Sequence, residues 1–354
     1  MKKLLILKED ISSYNVPIYN KIAERYDLTV GFFRKNNAKD AVFYKTIMLK
    51  YKKVGPFYII NNIHQICDKF DVVSFVPDFH ALNICTLPFI PHKYKLINWS
   101  IGFRVSYDHP YLVDRKHNCL DWLFLSILKK CDASIFYMEK SKEFWKDSSL
   151  DMSKIFVAPN TTAVTPIEYT QSEKNNILFV GTLYKGKGLN LLLESFKKAV
   201  EITKSSKKLV IVGEGEMREY ILNYIKNNGL KNQIVLTGAI YNEKELAEEF
   251  RKALLCVSPL QAGLSVPKSM GYGVPFVTRK DAITGGEIYH ICNGENGIMY
   301  NKNSDLTDIL VEAMTTPTKY YEMGLNAKKY YENKASICHM VQGAINAFDF
   351  AINH

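Results

Sequence analysis

The sequence predicts an α/β protein made of two doubly wound parallel sheets. Three observations carry that prediction. Short apolar runs of strand length alternate with helix-period stretches along the 354 residues. The alternation restarts after a segment rich in turn and breaker residues, 160–175. Glycine-bearing turns then close strands in the second half, at Gly181, at Gly213 with Gly215, and at Gly238.

In the first half, "KLLIL" (3–7) precedes a helical "IYNKIAERY" (18–26) and the strand "LTVGFF" (28–33). "DVVSFV" (71–76), "YKLINW" (94–99), "DASIFY" (132–137) and "KIFVAP" (154–159) read as further buried strands with helices between them. Continuous apolar strands separated by helices imply a parallel sheet covered on both faces. After "NTTAVTPIEYTQSEKN" the second series begins with "NILFVG" (176–181) and the helix "LNLLLESFKKAV" (189–200). "KLVIVG" (208–213), the helix "EMREYILNYIKNN" (216–228), "QIVLTG" (233–238) and the helix "ELAEEFRKA" (245–253) follow. "LLCVSP" (254–259), the short helix "SVPKSMGYG" (265–273) and "VPFVT" (274–278) complete it, and residues 315–353 read as two amphipathic helices. Two such domains place a ligand cleft at the carboxyl ends of their strands.

Composition bounds the function. With 47% hydrophobic and 23% charged residues the chain is globular, without a low-complexity block. Its seven cysteines are scattered singly with no CxxC pair, which favours neither a disulfide frame nor a zinc site and fits a reducing cytoplasm. The opening "MKKLLILKED" has too short an apolar run for a signal peptide, and no run of about 18 apolar residues exists to span a bilayer. The net charge is +10, and residues 1–170 hold 24 Lys and Arg against 17 Asp and Glu. That excess fits a lysine-rich solvated surface, or attraction to anionic lipid or phosphorylated ligands. No helix-turn-helix, zinc spacing or aromatic RNP-type motif points to nucleic acid.

Two turns of the second half suit an anion. Lys185 and Lys187 stand in a glycine-bounded turn just before a helix, where an ammonium group and N-terminal amides meet a diphosphate. In "SPLQAGLSVPKSMGYGVPFV" (258–277), Gly263, Leu264 and Ser265 lead from a strand into a helix, with side chains small enough for their amides to face a ligand. Taken alone, the lysine turn is equally two exposed lysines; the 263–265 loop, with Gly-Val-Pro behind it and a second anion-type turn in the same series, reads as a ligand loop rather than a structural turn. "GEGEMRE" lacks the full GxGxxG, so an NAD or FAD enzyme is not favoured.

Residues 150–345 resemble the nucleotide-sugar half of a retaining glycosyltransferase of family four (glycosyl transferases group 1). The ordered run that carries the likeness is "KIFVAPNT", "ILFVGTLYKGKGLNLLLESF", "LVIVGEGEMREYI", "IVLTGAI", "LLCVSPLQAGLSVPKSMGYGVPFVT" and "GGEIYHICNGENGIMY". The first half matches through its strand order and "INWSIGF". The resemblance implies a GT-B fold, two Rossmann-like doubly wound domains facing a cleft. Residues 1–163 would bind the acceptor and 174–335 the nucleotide sugar, with helix 336–354 crossing back onto the first domain. It also implies transfer of a hexose or other sugar from a nucleoside-diphosphate sugar with retained configuration, with no required metal or cofactor.

Carried over by position, Lys187 falls on the diphosphate-binding lysine. Thr182 stands where an arginine is usual, with Lys185 as its substitute. Gly263, Leu264 and Ser265 fall on the loop that meets donor sugar and phosphate. Gly181 and Gly213 line the same strand ends, and Gly238, Ala239 and Ile240 fall against the base. The paired glutamates would fall at Leu260 and Lys268, and both are absent. Glu287 keeps an acidic position. The catalytic candidates are thus Lys187, Ser265 and Lys268. The acceptor-side histidine falls at Ile101, and Arg104, Asp108 and His109 nearby are acceptor candidates or simply a loop.

Two readings of function follow. One is a glycosyltransferase with a divergent active site, acting on a glycan, lipid-linked acceptor in surface polysaccharide biosynthesis, cytoplasmic or peripheral on the inner membrane face. The other is a catalytically silent GT-B scaffold or sugar-nucleotide-binding protein; an epimerase or hydrolase of the same fold is a related enzymatic alternative. In the first domain, "FYKTIMLKYKKVGPFYII" (43–60) reads as strand and loop with snorkelling lysines, or as a membrane-facing patch. "NCLDWLFLSILKKC" (118–131) reads as a core helix.

Overall fold

Every apolar run read above as a strand lies in one of two parallel sheets of the computed structural model, which describes residues 1–38, 42–104, 115–167 and 174–354. The first unit contains β1 (Lys3–Lys8), α1 (Val16–Ala23), β2 (Asp27–Phe32), β3 (Lys45–Met48), β4 (Tyr51–Val54), β5 (Phe57–Ile60) and α2 (Ile63–Cys67). It continues with β6 (Val72–Phe75), α3 (Leu82–Cys85), β7 (Lys95–Ser100), α4 (Cys119–Lys130), β8 (Ala133–Phe136), α5 (Lys140–Trp145) and β9 (Ile155–Val157). Among the described residues its sheet runs β3-β2-β1-β6-β7-β8-β9, all parallel, so strand order reverses between β1 and β6.

The second unit comprises β10 (Asn176–Val180), α6 (Leu189–Thr203), β11 (Lys208–Val212), α7 (Arg218–Asn227), β12 (Ile234–Gly238), α8 (Glu243–Arg251) and β13 (Ala253–Val257). Then come β14 (Gln261–Ala262), α9 (Ser265–Gly271), β15 (Phe276–Arg279), β16 (Ile283–Thr284), β17 (Gly297–Tyr300), α10 (Asp305–Thr315) and α11 (Pro317–Tyr330). Its parallel sheet is ordered β12-β11-β10-β13-β15-β17, reversing between β10 and β13. β10 shows why its sequence is apolar throughout. Ile177 and Phe179 pack with Leu189, Leu192, Leu193 and Phe196 of α6, while Leu178 faces Val266 and Met270 of α9 on the other side.

α12 (Ile337–Asn353) belongs to the first unit. Its Phe348 ring lies edge-on to Tyr26 and Trp99, with centroids 5.6 and 6.1 Å away, and Asp349 accepts hydrogen bonds from Tyr26 (2.6 Å) and Arg25 (2.5 Å). At Gly343 a Cβ would fall 2.0 Å from the Val157 carbonyl oxygen, so only glycine lets this helix sit so close to β9.

Three local features differ from the sequence reading. Residues 51–60 form an antiparallel hairpin, β4 with β5, rather than strand and loop, because Gly55 with φ +58° closes a tight turn. α4 is buried on one face only, through Phe124, Leu125, Ile127 and Leu128, and leaves Leu120, Trp122 and Leu123 exposed. The two-residue parallel ladder of β14 with β16 has no periodicity to announce it. Among the described residues no helix is long and apolar enough to cross a membrane.

Candidate functional site

The carboxyl ends of β10, β11 and β12 are tied together by glycine turns. Gly181 donates to the Val212 carbonyl (3.0 Å), Leu183 to Glu214 (2.9 Å) and Gly213 to Gly238 (2.9 Å). A Cβ on Gly213 would lie 1.9 Å from the Gly181 oxygen, and one on Gly215 2.4 Å from the Leu183 oxygen. Both residues also have φ near +155°, so glycine is required twice over. The result is a ledge built largely of glycine backbone, at the end of the sheet where open α/β folds take ligands.

Lys187 ends a short 3-10 turn, Lys185–Lys187, and its side chain lies back over the ledge. Its Nζ is 3.5 Å from the position a Cβ would take at Gly181. Burial lowers the Lys187 ammonium below the ordinary lysine value, while the Glu287 carboxylate, and then Cys256, pull it back up. Among the described residues it forms no ion pair; the half-buried ammonium lies 6.0 Å from the Tyr184 ring centroid and feels the Glu287 carboxylate at longer range. Gly188, at φ +75°, lets the turn lie against Leu260, whose amide donates to the Lys187 carbonyl (3.3 Å). Lys185 and Thr182 are exposed; the Lys185 amide donates to Glu216 (3.4 Å).

The loop after β13 is the second wall. β14 pairs with β16 and fixes where Gly263, Leu264 and Ser265 begin. Among the described residues those three amides donate to no acceptor, and the buried Ser265 hydroxyl has no partner. Around β16, Thr284 Oγ1 donates to Glu287 (3.1 Å) and accepts from the amides of Gly286 (3.0 Å) and Ile288 (3.2 Å). Glu287 also accepts from the Gly285 amide (2.9 Å), which fixes its buried carboxylate on the loop. Lys187, 100 positions earlier in the chain, feels that charge. Chemically, a cation and unpaired amides suit an anion such as a diphosphate, and the Glu287 carboxylate favours the charged form of that cation.

The remaining expected residues sit as follows. Gly238, with φ +81°, carries the chain past Glu214, and Ala239 and Ile240 are half-buried after it. Lys268 lies one turn into α9 and pairs with Glu243. In the first unit the Arg104 guanidinium stacks 5.1 Å over the Phe79 ring, and the Ile101 carbonyl accepts from Ser141 (2.5 Å). Asp108 and His109 lie outside the described residues. Two contributors escaped the sequence reading. Tyr184 donates to Gln261 and so joins the Lys187 turn to β14, and Thr284 organises the Glu287 turn. The threonine had a signal, since a hydroxyl residue before Gly-Gly-Glu suits a side-chain turn. The tyrosine had none.

Residues 166–330 match the family model described as glycosyl transferases group 1. The matched stretch is just under half of the chain. That stretch holds Lys187, Glu287 and the 263–265 loop. An uncharacterized glycosyltransferase of Methanocaldococcus jannaschii is 29% identical over 187 residues, 51% of this chain and 46% of the relative; the match thus spans about half the relative's length. HepE of Anabaena, solved in complex with UDP, superposes with a TM-score of 0.70 at 14% identity, covering 98% of this chain and 99% of its own. WaaG, a glycosyltransferase involved in lipopolysaccharide biosynthesis, gives 0.65 at 13% identity, covering 98% and 99%. The fold is GT-B, two Rossmann-like doubly wound units.

Proposed function

We propose that the protein is a retaining glycosyltransferase of family four that moves a sugar from a nucleoside-diphosphate sugar to a glycan acceptor. The observation that carries this is the half-buried Lys187 ammonium, backed by Glu287 and facing a glycine ledge. The second unit takes the donor. Lys187 and the amides of Gly263, Leu264 and Ser265 meet the diphosphate, and the glycine ledge admits it closely. As the anomeric C–O bond breaks, negative charge grows on the departing diphosphate, and these donors stabilise it without reorganising. The acceptor oxygen bonds to the anomeric carbon on the same face, and its proton passes to the departing phosphate oxygen. No step in this scheme requires a metal.

Lys268 cannot accept hydrogen bonds from ribose. Glu243, at the start of α8 and held by Lys268, supplies the carboxylate that α9 lacks. The first unit takes the acceptor, with Arg104 on that side. HepE is solved with UDP-glucose, which makes UDP the first base to try. The lipopolysaccharide role printed for WaaG supports a lipid-linked acceptor of surface polysaccharide, met at the inner face of a membrane.

A second reading, a sugar-nucleotide-binding protein without turnover, draws on one observation: Leu260 and Lys268 stand where two glutamates are usual. Calorimetry with UDP, GDP, ADP and CMP tests the donor site. One nucleotide should bind, and Lys187→Ala should weaken it roughly tenfold to a hundredfold, the worth of a hydrogen bond to a charged group. Binding by none defeats the reading. Binding without sugar transfer from any donor selects the second.

A further inference from the structure

The first unit leaves an apolar band uncovered. Val54 (57% exposed), Phe57 and Ile59 project from the β4–β5 hairpin, Leu82 from α3, Phe89 (50%) from the turn after it, and Trp122 (52%) from α4. These elements touch in sequence: β5 packs on α3, α3 on the Leu87–Phe89 turn, and that turn on α4. Hydrogen bonds fasten the first junction. Asn83 accepts from the Ile60 amide (3.0 Å) and donates to its carbonyl (2.6 Å), and the Tyr58 amide donates to His80 (2.6 Å). Large exposed aromatics on fixed elements mark an interaction surface.

Charge selects the partner. Residues 42–60 contain Lys45, Lys50, Lys52 and Lys53 and no acid. All four are exposed; Lys45 is paired with Asp27 (2.7 Å), which leaves Lys50, Lys52 and Lys53 as the hairpin's excess charge, and Lys93 and Lys116 are exposed along the rest of the band. Asp121 of α4 is buried and neutralised by Arg115 (2.5 Å), so it offsets none of this surface charge. Protein interfaces are depleted in lysine. A bilayer interface favours the opposite mixture, with aromatics at headgroup depth and lysine stems lying along the apolar surface.

We infer that the band formed by β4–β5, α3 and the start of α4 docks the first unit on an anionic lipid bilayer. The topology gives the band a direction. The hairpin, α3 and α4 follow the carboxyl ends of β3, β6 and β7, so the membrane surface adjoins the ligand-binding end of this sheet. A lipid-linked acceptor would then arrive at the end of the unit that receives it. The inference deepens the membrane reading above and is independent of the donor site.

The test is cosedimentation of the whole chain with vesicles of phosphatidylcholine alone or mixed with phosphatidylglycerol. The mixed vesicles should carry the protein down, less so as salt rises. A triple reversal, Lys50→Glu, Lys52→Glu and Lys53→Glu, should lower partition by about tenfold or more. Phe89→Ser with Trp122→Ser should lower it even where the lysines remain. Nucleotide calorimetry on each variant shows that the second unit is intact and tests the donor reading separately, so either proposal can fail alone. Equal partition into both lipids, none into either, or variants that bind like the parent overturn the docking. So does a chain that self-associates until Trp122→Ser makes it monomeric, because a second copy then covers the band.

Discussion

The Lys268 ammonium sits 2.6 and 2.8 Å from the two carboxylate oxygens of Glu243, so a charge on α9 is answered from the first residue of α8. A carboxylate offers about four lone-pair sites, and this contact uses only part of them. Glu243 is half exposed, so the pair itself contributes little to stability, under about 1 kcal/mol. Glu243→Gln should therefore hold its melting temperature yet weaken nucleoside-diphosphate binding roughly tenfold. Calorimetry beside thermal denaturation checks both. Unchanged affinity would mean that the carboxylate serves Lys268 alone.

Lys187 should make donor binding sensitive to alkali. Because burial lowers its affinity for a proton, its charge is lost at a lower pH than an ordinary lysine's. Diphosphate affinity should fall as pH rises through that value. Glu287→Gln removes the carboxylate that opposes the shift, so the fall should begin at still lower pH. A binding titration against pH for the parent and Glu287→Gln reads the displacement; coincident curves would disconnect the two residues.

Two glycines should behave oppositely. Gly213→Ala drives a Cβ into the Gly181 carbonyl and should cost about 3 kcal/mol or more in urea denaturation. At Gly263 a Cβ would meet nothing within 4 Å, so Gly263→Ala should stay within about 1 kcal/mol of the parent. It should nonetheless weaken nucleotide binding, because the methyl group stands beside the unpaired amides. Normal binding by Gly263→Ala would remove this loop from the donor site.

Sequence legibility followed burial. "NILFVG" and "KLVIVG" were readable because both faces of β10 and β11 are covered, which demands an unbroken apolar run. The hairpin of 51–60 carries exposed aromatics on both strands, so no alternation marks it. The 263–265 loop showed itself through small residues, which are a local property. Lys268 with Glu243, Lys187 with Glu287 and Tyr184 with Gln261 are set by how helices and loops stack, and no spacing in the chain encodes them. Apolar neighbours in the sequence suggest a core position for Trp122, yet the helix turns it outward.

Lys8, at the end of β1, is half-buried with its ammonium 5.4 Å over the Trp99 ring, and desolvation lowers its pKa from 10.5 to about 8. Below about pH 8 the folded state thus holds a charge that water would solvate better. Lys8→Met should stabilise the protein at pH 7 by about 1–3 kcal/mol. The unfolded chain binds more protons between the two values, so the parent recovers stability as pH rises from about 8 to 10.5, and the gain should vanish there. Urea denaturation at neutral and alkaline pH checks it; no gain at pH 7 would mean that the Trp99 ring compensates the charge.

The return of α12 to the first unit has a consequence for how the chain is made. A ribosome finishes residues 161–336 before it delivers the helix that covers β8 and β9 and meets Tyr26 and Trp99. The half synthesised first is therefore completed last, and until then it carries an open apolar face. A premature stop near residue 336 would spare the second unit and cripple the first, whose strands precede it in the chain.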